Sequence, residues 1–377
     1  MKTVALELQP CCGNRSGVGI YTYELVSHLK GDSDISFCGN IFNFLGRNDN
    51  SDSLKNIEFP INESRLFPYG VYRRVWNCIP ISYSSLFPMQ ADLSVFFNYI
   101  VPPRIKGKVI TMVHDMTYLR FPETVDKKNL RRIEEGIRYS VERSSRIITA
   151  SEFSRREIIE LLDLPAEKVS VVNAAANISS SLAHFDAVAK KFGIEGSPYI
   201  LYVGNIEPRK NLVRLLKAFA LLKEKYLIPH KLVMVGASGW NNANFYKELE
   251  NNKFRDDIVL TGYVSSDEKN AFYQNAEVFA FPSIYEGFGI PPLEAMHWRC
   301  PVVAANAASL PEVCGEAAEL VDPFGEEAIA EGILKVISDI DLANELRKRG
   351  VAQVDRFNWE KAADCFCTIC KEVAFEQ

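Results

Sequence analysis

The hydrophobic pattern of the chain alternates between short apolar runs and longer amphipathic stretches. In the first half, runs rich in β-branched residues predict strands, and stretches with helical spacing predict helices between them. The predicted strands are residues 3–8, 109–113, 146–150 and 169–172, and the predicted helices are residues 129–144 and 154–162. Strands that alternate with helices in this way predict a parallel sheet covered on both faces.

The same alternation restarts in the second half of the chain. The predicted strands there are residues 199–203, 231–235, 258–260, 278–281 and 301–304, and a helix is predicted over residues 212–225. Residues 179–197 are polar and weakly periodic, so we predict a linker. The pattern predicts an α/β fold of two tandem, doubly wound, Rossmann-like domains, residues 1–185 and 197–357, with a ligand cleft between them at the carboxyl ends of both sheets.

The last segment, residues 358–377, has apolar residues at helical spacing. They are Trp359, Ala362, Phe366, Ile369 and Val373. This periodicity predicts a helix that packs on the domains and could return to the first one.

Residues 65–88 interleave aromatic residues with arginines. Such a mixture allows two interpretations. The segment could be a basic, aromatic surface element that contacts a membrane or a lipid-linked acceptor, or it could be an ordinary helix packed on the first domain.

Composition narrows the class of protein. The 377 residues are 47% hydrophobic and 24% charged, which is typical of a globular protein with two domains, and the net charge of −5 argues against a nucleic-acid partner. Nine scattered cysteines and the absence of a signal peptide predict a reduced, cytoplasmic compartment. The cluster of Cys365, Cys367 and Cys370 could hold a metal, but half-buried helix cysteines are the better interpretation because no histidine lies nearby.

A candidate phosphate pocket lies within residues 286–296, where a helix is predicted to begin at a proline pair. The backbone N–H groups of Phe288, Gly289 and Ile290 would point outward at the positive end of this helix, where a phosphate binds well. Glu286 and Glu294 flank the pocket, and their carboxylates would accept hydrogen bonds from sugar and ribose hydroxyls. In a purely structural interpretation, Glu294 complements the helix dipole and Glu286 caps the helix.

Two cations follow the first predicted strand of the second domain. Arg209 offers a planar fork and Lys210 a point charge, which together suit a diphosphate leaving group. Taken alone, a solvated Arg-Lys dipeptide would be the better interpretation. Their position in a loop at the end of a strand, facing the cleft, favours a diphosphate site instead.

The first domain contributes two further candidates. Residues 14–21 form a glycine-rich turn in which Gly17 and Gly19 would let a ligand approach the backbone, although the third glycine of a dinucleotide fingerprint is absent. His114 ends a predicted strand that would point into the cleft. No histidine pair has zinc-ligand spacing and no Asp-x-Asp occurs, so we expect no metal and no cofactor.

With these residues, the chain resembles the retaining glycosyltransferases of the GT-B fold. It is most similar to their large fourth sequence family, the group 1 glycosyltransferases, which includes bacterial lipopolysaccharide, exopolysaccharide and phosphatidylinositol mannosyltransferases. The matching motifs are FPSIYEGFGIPPLEAM at 281–296, CPVVA at 300–304, SLPE at 309–312, EPRKN at 207–211, VHD at 113–115, SEFS at 151–154 and LTGYV at 260–264.

The resemblance implies a role for each candidate residue. It implies that Glu286 and His114 contact the donor sugar, that Glu294 holds the ribose, and that Arg209 and Lys210 hold the diphosphate. The other donor contacts that it implies are Asn205, Phe288, Gly289, Ile290, Gly17, Gly19, Tyr263 and Val264, the last two beside the base. Many relatives carry arginine where this chain has Asn205, so Arg209 could take over that work.

The resemblance also implies the activity. It implies a metal-independent, retaining transfer of a hexose from a nucleotide-diphosphate sugar to a hydroxyl of a glycan or lipid-linked acceptor in surface polysaccharide biosynthesis. GDP-mannose is the first candidate donor, UDP-sugars stay open, and a cytoplasmic protein at the inner face of the membrane is expected. Alternatives are a nucleotide-sugar epimerase of the same fold and a non-catalytic nucleotide-sugar binding protein, whereas the missing fingerprint disfavours an NAD dehydrogenase.

Overall fold

The computed structural model of the chain describes residues 1–13, 15–46, 50, 52–76, 78–178 and 181–376. Contacts divide it into two compact units. Unit 1 consists of Met1–Met116, Lys127–Ala174 and Trp359–Gln377, and unit 2 consists of Thr117–Asp126 and Ala175–Asn358. Each unit therefore combines segments that are separated along the chain.

Unit 1 is built on a seven-stranded, fully parallel sheet with the strand order β3-β2-β1-β4-β5-β6-β7. The strands are β1 Lys2–Glu7, β2 Ile35–Phe42, β3 Ile61–Ser64, β4 Leu93–Phe96, β5 Lys108–Met112, β6 Arg146–Thr149 and β7 Val169–Val171. The helices are Gly17–Ser27, Tyr69–Val75, Lys127–Arg143, Glu152–Leu162 and Trp359–Phe375. The direction of chain progression reverses between β1 and β4, which makes that boundary the topological switch point of unit 1.

The aromatic residues of segment 65–88 lie inside unit 1. Tyr72, Tyr83 and Phe87 are buried in one cluster with Phe42 and Phe96. The prediction that these aromatic residues form a surface element is therefore wrong, because their rings are needed to fill this core. The alternative prediction of a packed helix agrees with the structure, while Asn77 lies outside the described residues.

The last helix, Trp359–Phe375, contributes to the core of unit 1. Phe366 is fully buried, and its ring lies 6.5 Å from that of Phe37 and 5.8 Å from that of Phe97. Of the three clustered cysteines on this helix, Cys365 is exposed and Cys370 is buried. Across the described part of the chain, no group of three or more His, Cys, Asp or Glu side chains could hold a metal ion.

Unit 2 contains a six-stranded parallel sheet with the order β10-β9-β8-β11-β12-β13. Its strands are β8 Tyr199–Val203, β9 Lys231–Val235, β10 Ile258–Gly262, β11 Val278–Phe281, β12 Val302–Ala305 and β13 Ala318–Val321. Its helices are Thr117–Arg120, Phe185–Phe192, Leu212–Tyr226, Ala243–Asn251, Ser266–Asn275, Ile290–His297, Leu310–Cys314, Glu326–Ser338 and Ile340–Val354. The switch point of this sheet lies between β8 and β11.

The predicted linker over residues 179–197 contains a helix, Phe185–Phe192, and the prediction is wrong for those residues. Phe185 stacks on Tyr199 with ring centroids 6.1 Å apart, and Phe192 packs 5.4 Å from Phe272. The helix has only eight residues, so its apolar face gives a weak periodic signal that tertiary packing completes. Ser179 and Ser180, at the start of the predicted linker, lie outside the described residues.

In the described part of the chain, no helix combines the length and the apolar character that a membrane-spanning helix needs.

Candidate active site

Unit 2 gathers its candidate residues at its switch point. Arg209 and Lys210 lie on the loop after β8, in a short 3₁₀ turn, and Glu286 lies on the loop after β11. Because β8 and β11 are neighbouring parallel strands, both loops leave the same edge of the sheet. This edge is where open α/β sheets bind ligands.

The three side chains form one buried charge cluster. Arg209 Nη1 lies 2.7 Å from Glu286 Oε2, and Lys210 Nζ lies 2.7 Å from Glu286 Oε1. Arg209 Nη2 also donates to Glu207 Oε1 at 2.8 Å. Burial by itself would raise the pKa of Glu286, but the two cations outweigh it and hold that pKa at about 2. Glu286 is therefore ionised at neutral pH and acts only as a hydrogen-bond acceptor.

Two polar residues that the sequence interpretation passed over hold these loops together. Asn211 has a left-handed φ of 63°, and its Nδ2 donates to the carbonyl oxygens of Pro282 at 3.0 Å and Pro323 at 2.6 Å. The hydroxyl of Ser309 lies 2.9 Å from the carbonyl oxygen of Glu286. Glu207, Asn211 and Ser309 all stand inside the quoted motifs, which is the signal that could have found them.

The predicted helix start after Glu286 is present. The helix Ile290–His297 begins after Gly289, whose φ is 108°, and a proline stands in its first turn. The backbone angle requires glycine here, whereas a Cβ would meet only the end of the Leu310 side chain, at 2.7 Å from Cδ2, which can move aside. Phe288, beside it, is buried. The positive end of this helix lies on the same loop as Glu286.

Glu294 lies on this helix and is only 5% exposed. Its Oε1 accepts from Lys269 Nζ at 2.7 Å, and its Oε2 accepts from the hydroxyl of Tyr273 at 3.0 Å. These contacts are separate from the cluster around Glu286. The sequence interpretation missed Lys269 and Tyr273, although they stand one helical turn apart after a capping box at Ser265.

Three more predicted donor residues follow strands of the same sheet. Asn205 is exposed after β8, and its carbonyl oxygen accepts from the hydroxyl of Tyr202 at 3.1 Å. Tyr263 and Val264 follow β10; the side chain of Tyr263 is 87% exposed, whereas Val264 is buried. Since all strands of the sheet are parallel, these residues belong to the edge that carries Arg209 and Glu286.

His114 lies in unit 1, after β5, with its Nε2 2.7 Å from the carbonyl oxygen of Phe97. A carbonyl only accepts, so Nε2 carries the proton, and burial lowers the pKa of His114, which keeps the ring neutral. No described residue bonds Nδ1, which is left as an acceptor. The rings of Tyr21 and Tyr99 lie 5.7 Å and 5.6 Å from that of His114.

The two glycines of residues 14–21 are not in a loop. Gly17 begins the helix Gly17–Ser27, and Gly19 lies in its first turn, which corrects the predicted glycine-rich turn; Asn14 lies outside the described residues. A Cβ at Gly19 would lie 2.2 Å from the carbonyl oxygen of Pro10. Close packing of this helix against the preceding turn therefore accounts for the glycine at 19.

With this geometry in place, similarity to known proteins identifies the family. Residues 185–353 match the family described as Glycosyl transferases group 1. Over 266 residues the chain is 35% identical to the O-antigen chain mannosyltransferase B of Escherichia coli, and the match covers 70% of each protein. The chain belongs to the group 1 glycosyltransferases.

Solved structures show the fold. Sucrose-phosphate synthase from Thermosynechococcus elongatus matches with a TM-score of 0.75 at 17% identity over 99% of each chain. The Anabaena protein HepE, in complex with UDP and glucose, matches with a TM-score of 0.73 at 16% identity over 99% of this chain and all of that one. This glycosyltransferase thus has the predicted GT-B fold, with two α/β units built on parallel sheets.

Proposed function

We propose that this glycosyltransferase moves a hexose from a nucleotide-diphosphate sugar to a hydroxyl of a glycan or lipid-linked acceptor in surface polysaccharide biosynthesis. The first candidate donor is GDP-mannose, because the Escherichia coli relative is named as an O-antigen mannosyltransferase. The transfer retains the configuration at the anomeric carbon and needs no metal. The observation that carries the proposal is the cluster of Arg209, Lys210 and Glu286 at the switch point of unit 2.

The two cations in this cluster suit the charge of the leaving group. When the bond between the anomeric carbon and the diphosphate oxygen breaks, its electron pair stays on the diphosphate, and positive charge develops on the sugar. The planar fork of Arg209 and the ammonium of Lys210 stabilise that negative charge without a divalent cation. The positive end of the helix that begins at Ile290 adds to their effect.

Because Arg209 and Lys210 are both paired with Glu286, we infer that they change partners when the donor binds. An incoming diphosphate competes with the Glu286 carboxylate for Arg209 and Lys210, because phosphate oxygens form equally strong charge-assisted hydrogen bonds. As the cations turn towards the diphosphate, Glu286 becomes available to accept hydrogen bonds from hydroxyls of the transferred sugar. Binding of the donor would thereby bring the sugar to Glu286.

Transfer itself follows from a same-face attack. The acceptor oxygen forms its bond to the anomeric carbon on the face from which the diphosphate departs, and the acceptor proton passes to the departing diphosphate oxygen. In this proposal neutral His114 accepts a hydrogen bond from a donor-sugar hydroxyl through Nδ1. Glu294 holds the ribose with lone pairs that Lys269 and Tyr273 leave unused, and the exposed ring of Tyr263 lies against the base.

Thermal denaturation with GDP, UDP or ADP, each with and without EDTA, tests the donor assignment. We expect GDP to raise the melting temperature most and EDTA to leave that shift unchanged, since binding to the folded state alone stabilises it. A larger shift with UDP would replace GDP-mannose as the donor. No shift with any of the three nucleotides would contradict the proposed function.

The variant Glu286→Gln tests the cluster. We expect transfer to fall by about 100-fold or more while the nucleotide-induced shift is kept, because the carboxylate serves the sugar and not the diphosphate. Glu250→Gln, on an exposed position of the same unit, is the matched control. Normal transfer by Glu286→Gln would refute the assignment, and release of an isomerised donor without acceptor would favour an epimerase.

A peripheral membrane contact is also proposed, now through side chains of segment 65–88 that are exposed. Leu66 and Val71 are exposed apolar residues, and Arg65 and Arg74 are exposed cations beside them. In a flotation assay with vesicles that contain anionic lipid, we expect the unaltered protein to float with the vesicles. We expect a smaller fraction of the Leu66→Ser/Val71→Ser variant to float. Equal flotation of both proteins would refute this contact.

A further inference from the structure

Unit 1 has a second cluster of charged side chains, at its own switch point. Glu7 is the last residue of β1, and Asn98 follows β4, so both lie where the two neighbouring strands end. Arg73 and Arg132, from two different helices, lie beside them. Switch points of open α/β sheets bind ligands, but the family motifs assign no role to either arginine.

The guanidinium groups of Arg73 and Arg132 both act electrostatically on Tyr69, and Arg73 acts on Arg132. Burial, and then the charge of Arg73, lower the pKa of Arg132. Within the described residues neither arginine forms a salt bridge, and the Nη2 of Arg132 reaches Asn98 Oδ1 only at 3.4 Å. The Nε of Arg132 is buried and has no hydrogen-bond partner there. A buried donor without a partner costs free energy that a bound acceptor group would remove.

The neighbouring groups leave this positive charge largely uncompensated. Burial raises the pKa of Glu7 to about 7, against the opposing effects of the Gln9 backbone N–H and of Arg73. Glu7 is therefore only partly ionised at neutral pH. The other neighbours are neutral: the ring of Tyr69 lies 5.4 Å from the Arg73 guanidinium, and Asn98 is an amide. A bound anion would compensate this positive charge.

We propose that Arg73 and Arg132 bind a phosphate or diphosphate group carried by the acceptor. Two planar forks from separate helices can each take a pair of oxygens, which suits a phosphoryl group with three or more free oxygens better than a carboxylate with two. Tyr99 lies between the cluster of Arg73 and Arg132 and His114. Its ring is 5.6 Å from the ring of His114, and its hydroxyl acts electrostatically on Arg132. The inference rests on the proposed function, since the acceptor belongs to that proposal.

Calorimetric titration of the full chain tests the site directly. GDP is first added to saturation to occupy unit 2, and inorganic pyrophosphate, farnesyl diphosphate or glucuronate is then titrated into separate samples. We expect pyrophosphate and farnesyl diphosphate to bind, and the Arg73→Gln/Arg132→Gln variant to bind them at least about tenfold more weakly, because charge-assisted hydrogen bonds are lost.

Arg131→Gln/Arg138→Gln is the matched control, because both arginines are exposed and stand on the helix that carries Arg132. This control should bind as the parent does. If the double variant of the site does not fold, Arg132→Lys keeps the charge and removes the fork, and we expect it to bind more weakly than the control.

The outcomes separate the inference from the proposed function. A parent that shows a GDP-induced thermal shift but binds no diphosphate, or site variants that bind as the control does, would overturn the inference alone. Binding of pyrophosphate with exclusion of farnesyl diphosphate would point to a free ion, and binding of glucuronate in place of the phosphates would point to a carboxylate; either overturns it too. Loss of the GDP shift is instead a failure of the proposed function, and the difference between the site variant and its control can still be measured.

Discussion

The two units each place one buried glutamate and two cations at a switch point, but the two clusters are opposite in electrostatic character. In unit 2, Arg209 and Lys210 both touch Glu286, and its pKa is about 2. In unit 1, burial is the largest effect on the Glu7 carboxyl and raises its pKa to about 7. The same edge of the same fold type thus carries a neutralised cluster in one unit and an uncompensated one in the other.

This difference indicates two ways of preparing for an anion. The cations of unit 2 are held in place by a carboxylate that a ligand must displace, so the side chains of this cluster carry little net charge. The arginines of unit 1 have no such carboxylate partner, and a bound anion would relieve the repulsion between them. Each of the following changes either removes this contrast or makes it easier to measure.

The largest expected effect comes from breaking the cluster of unit 2 with Lys210→Ala. Removing one of two cations at the diphosphate should lower transfer by about 100- to 1000-fold while the fold survives. Steady-state transfer with a saturating acceptor measures it, and Lys247→Ala, an exposed lysine of the same unit, should transfer as the parent does. Normal transfer by Lys210→Ala would show that the cluster is only structural.

The next effect uses acid to titrate Glu286. Its folded-state pKa of about 2 lies below the ordinary value of 4.5, so its stabilisation is present above pH 4.5 and is lost as the pH falls towards 2. The gap corresponds to about 3 kcal/mol. Denaturant unfolding of the parent and of Glu286→Gln should show the parent losing this extra stability over that window. Parallel curves would mean that the pairing contributes nothing.

The variant Glu7→Gln tests the pKa shift of opposite sign, in unit 1. Because the folded-state pKa of Glu7 is raised from 4.5 to about 7, the folded state keeps a proton that the unfolded state releases, and stability falls as the pH rises across that window. Glu7→Gln should therefore be more stable than the parent at pH 8, by about 3 kcal/mol, and the gain should vanish near pH 4.5. A variant less stable than the parent at pH 8 would mean that the Glu7 carboxylate is paired after all.

The smallest effect is expected for Tyr69→Phe in unit 1. The ring beneath Arg73 is kept and only the hydroxyl is removed, so affinity for pyrophosphate should change by less than about threefold, within the range of a single neutral hydrogen bond. The calorimetric titration described above measures it. A change as large as that of the double arginine variant would place the binding on Tyr69 instead of the guanidinium groups.

Much of the fold can be predicted from the sequence because buried parallel strands leave clear apolar runs. The predicted strands at residues 199–203, 231–235 and 278–281 have the observed bounds. The helix Phe185–Phe192 could not be predicted, because eight residues give too little periodicity and its stability comes from Tyr199 and Phe272.

The candidate sites likewise contain some residues that the sequence predicts and others that it does not. Arg209, Lys210 and Glu286 stand in motifs that resemble a known family, and the structure brings their side chains into contact. Arg73 and Arg132 could not be paired from the sequence, because their proximity depends on the order of strands in the sheet and on how two separate helices pack. The sequence predicts that Gly19 lets a ligand approach the backbone. The packing of its helix against Pro10, which requires glycine at 19, could not be predicted because it depends on the folded backbone.

The position of the last helix has a consequence for how the chain folds as it leaves the ribosome. Phe366 fills the core of unit 1 between Phe37 and Phe97, yet it is translated only after every strand of unit 2. Unit 1 must therefore wait, with an open apolar face, while its successor is synthesised and begins to fold. Until the last helix docks, that apolar face is exposed to aggregation, the hazard against which chaperones act.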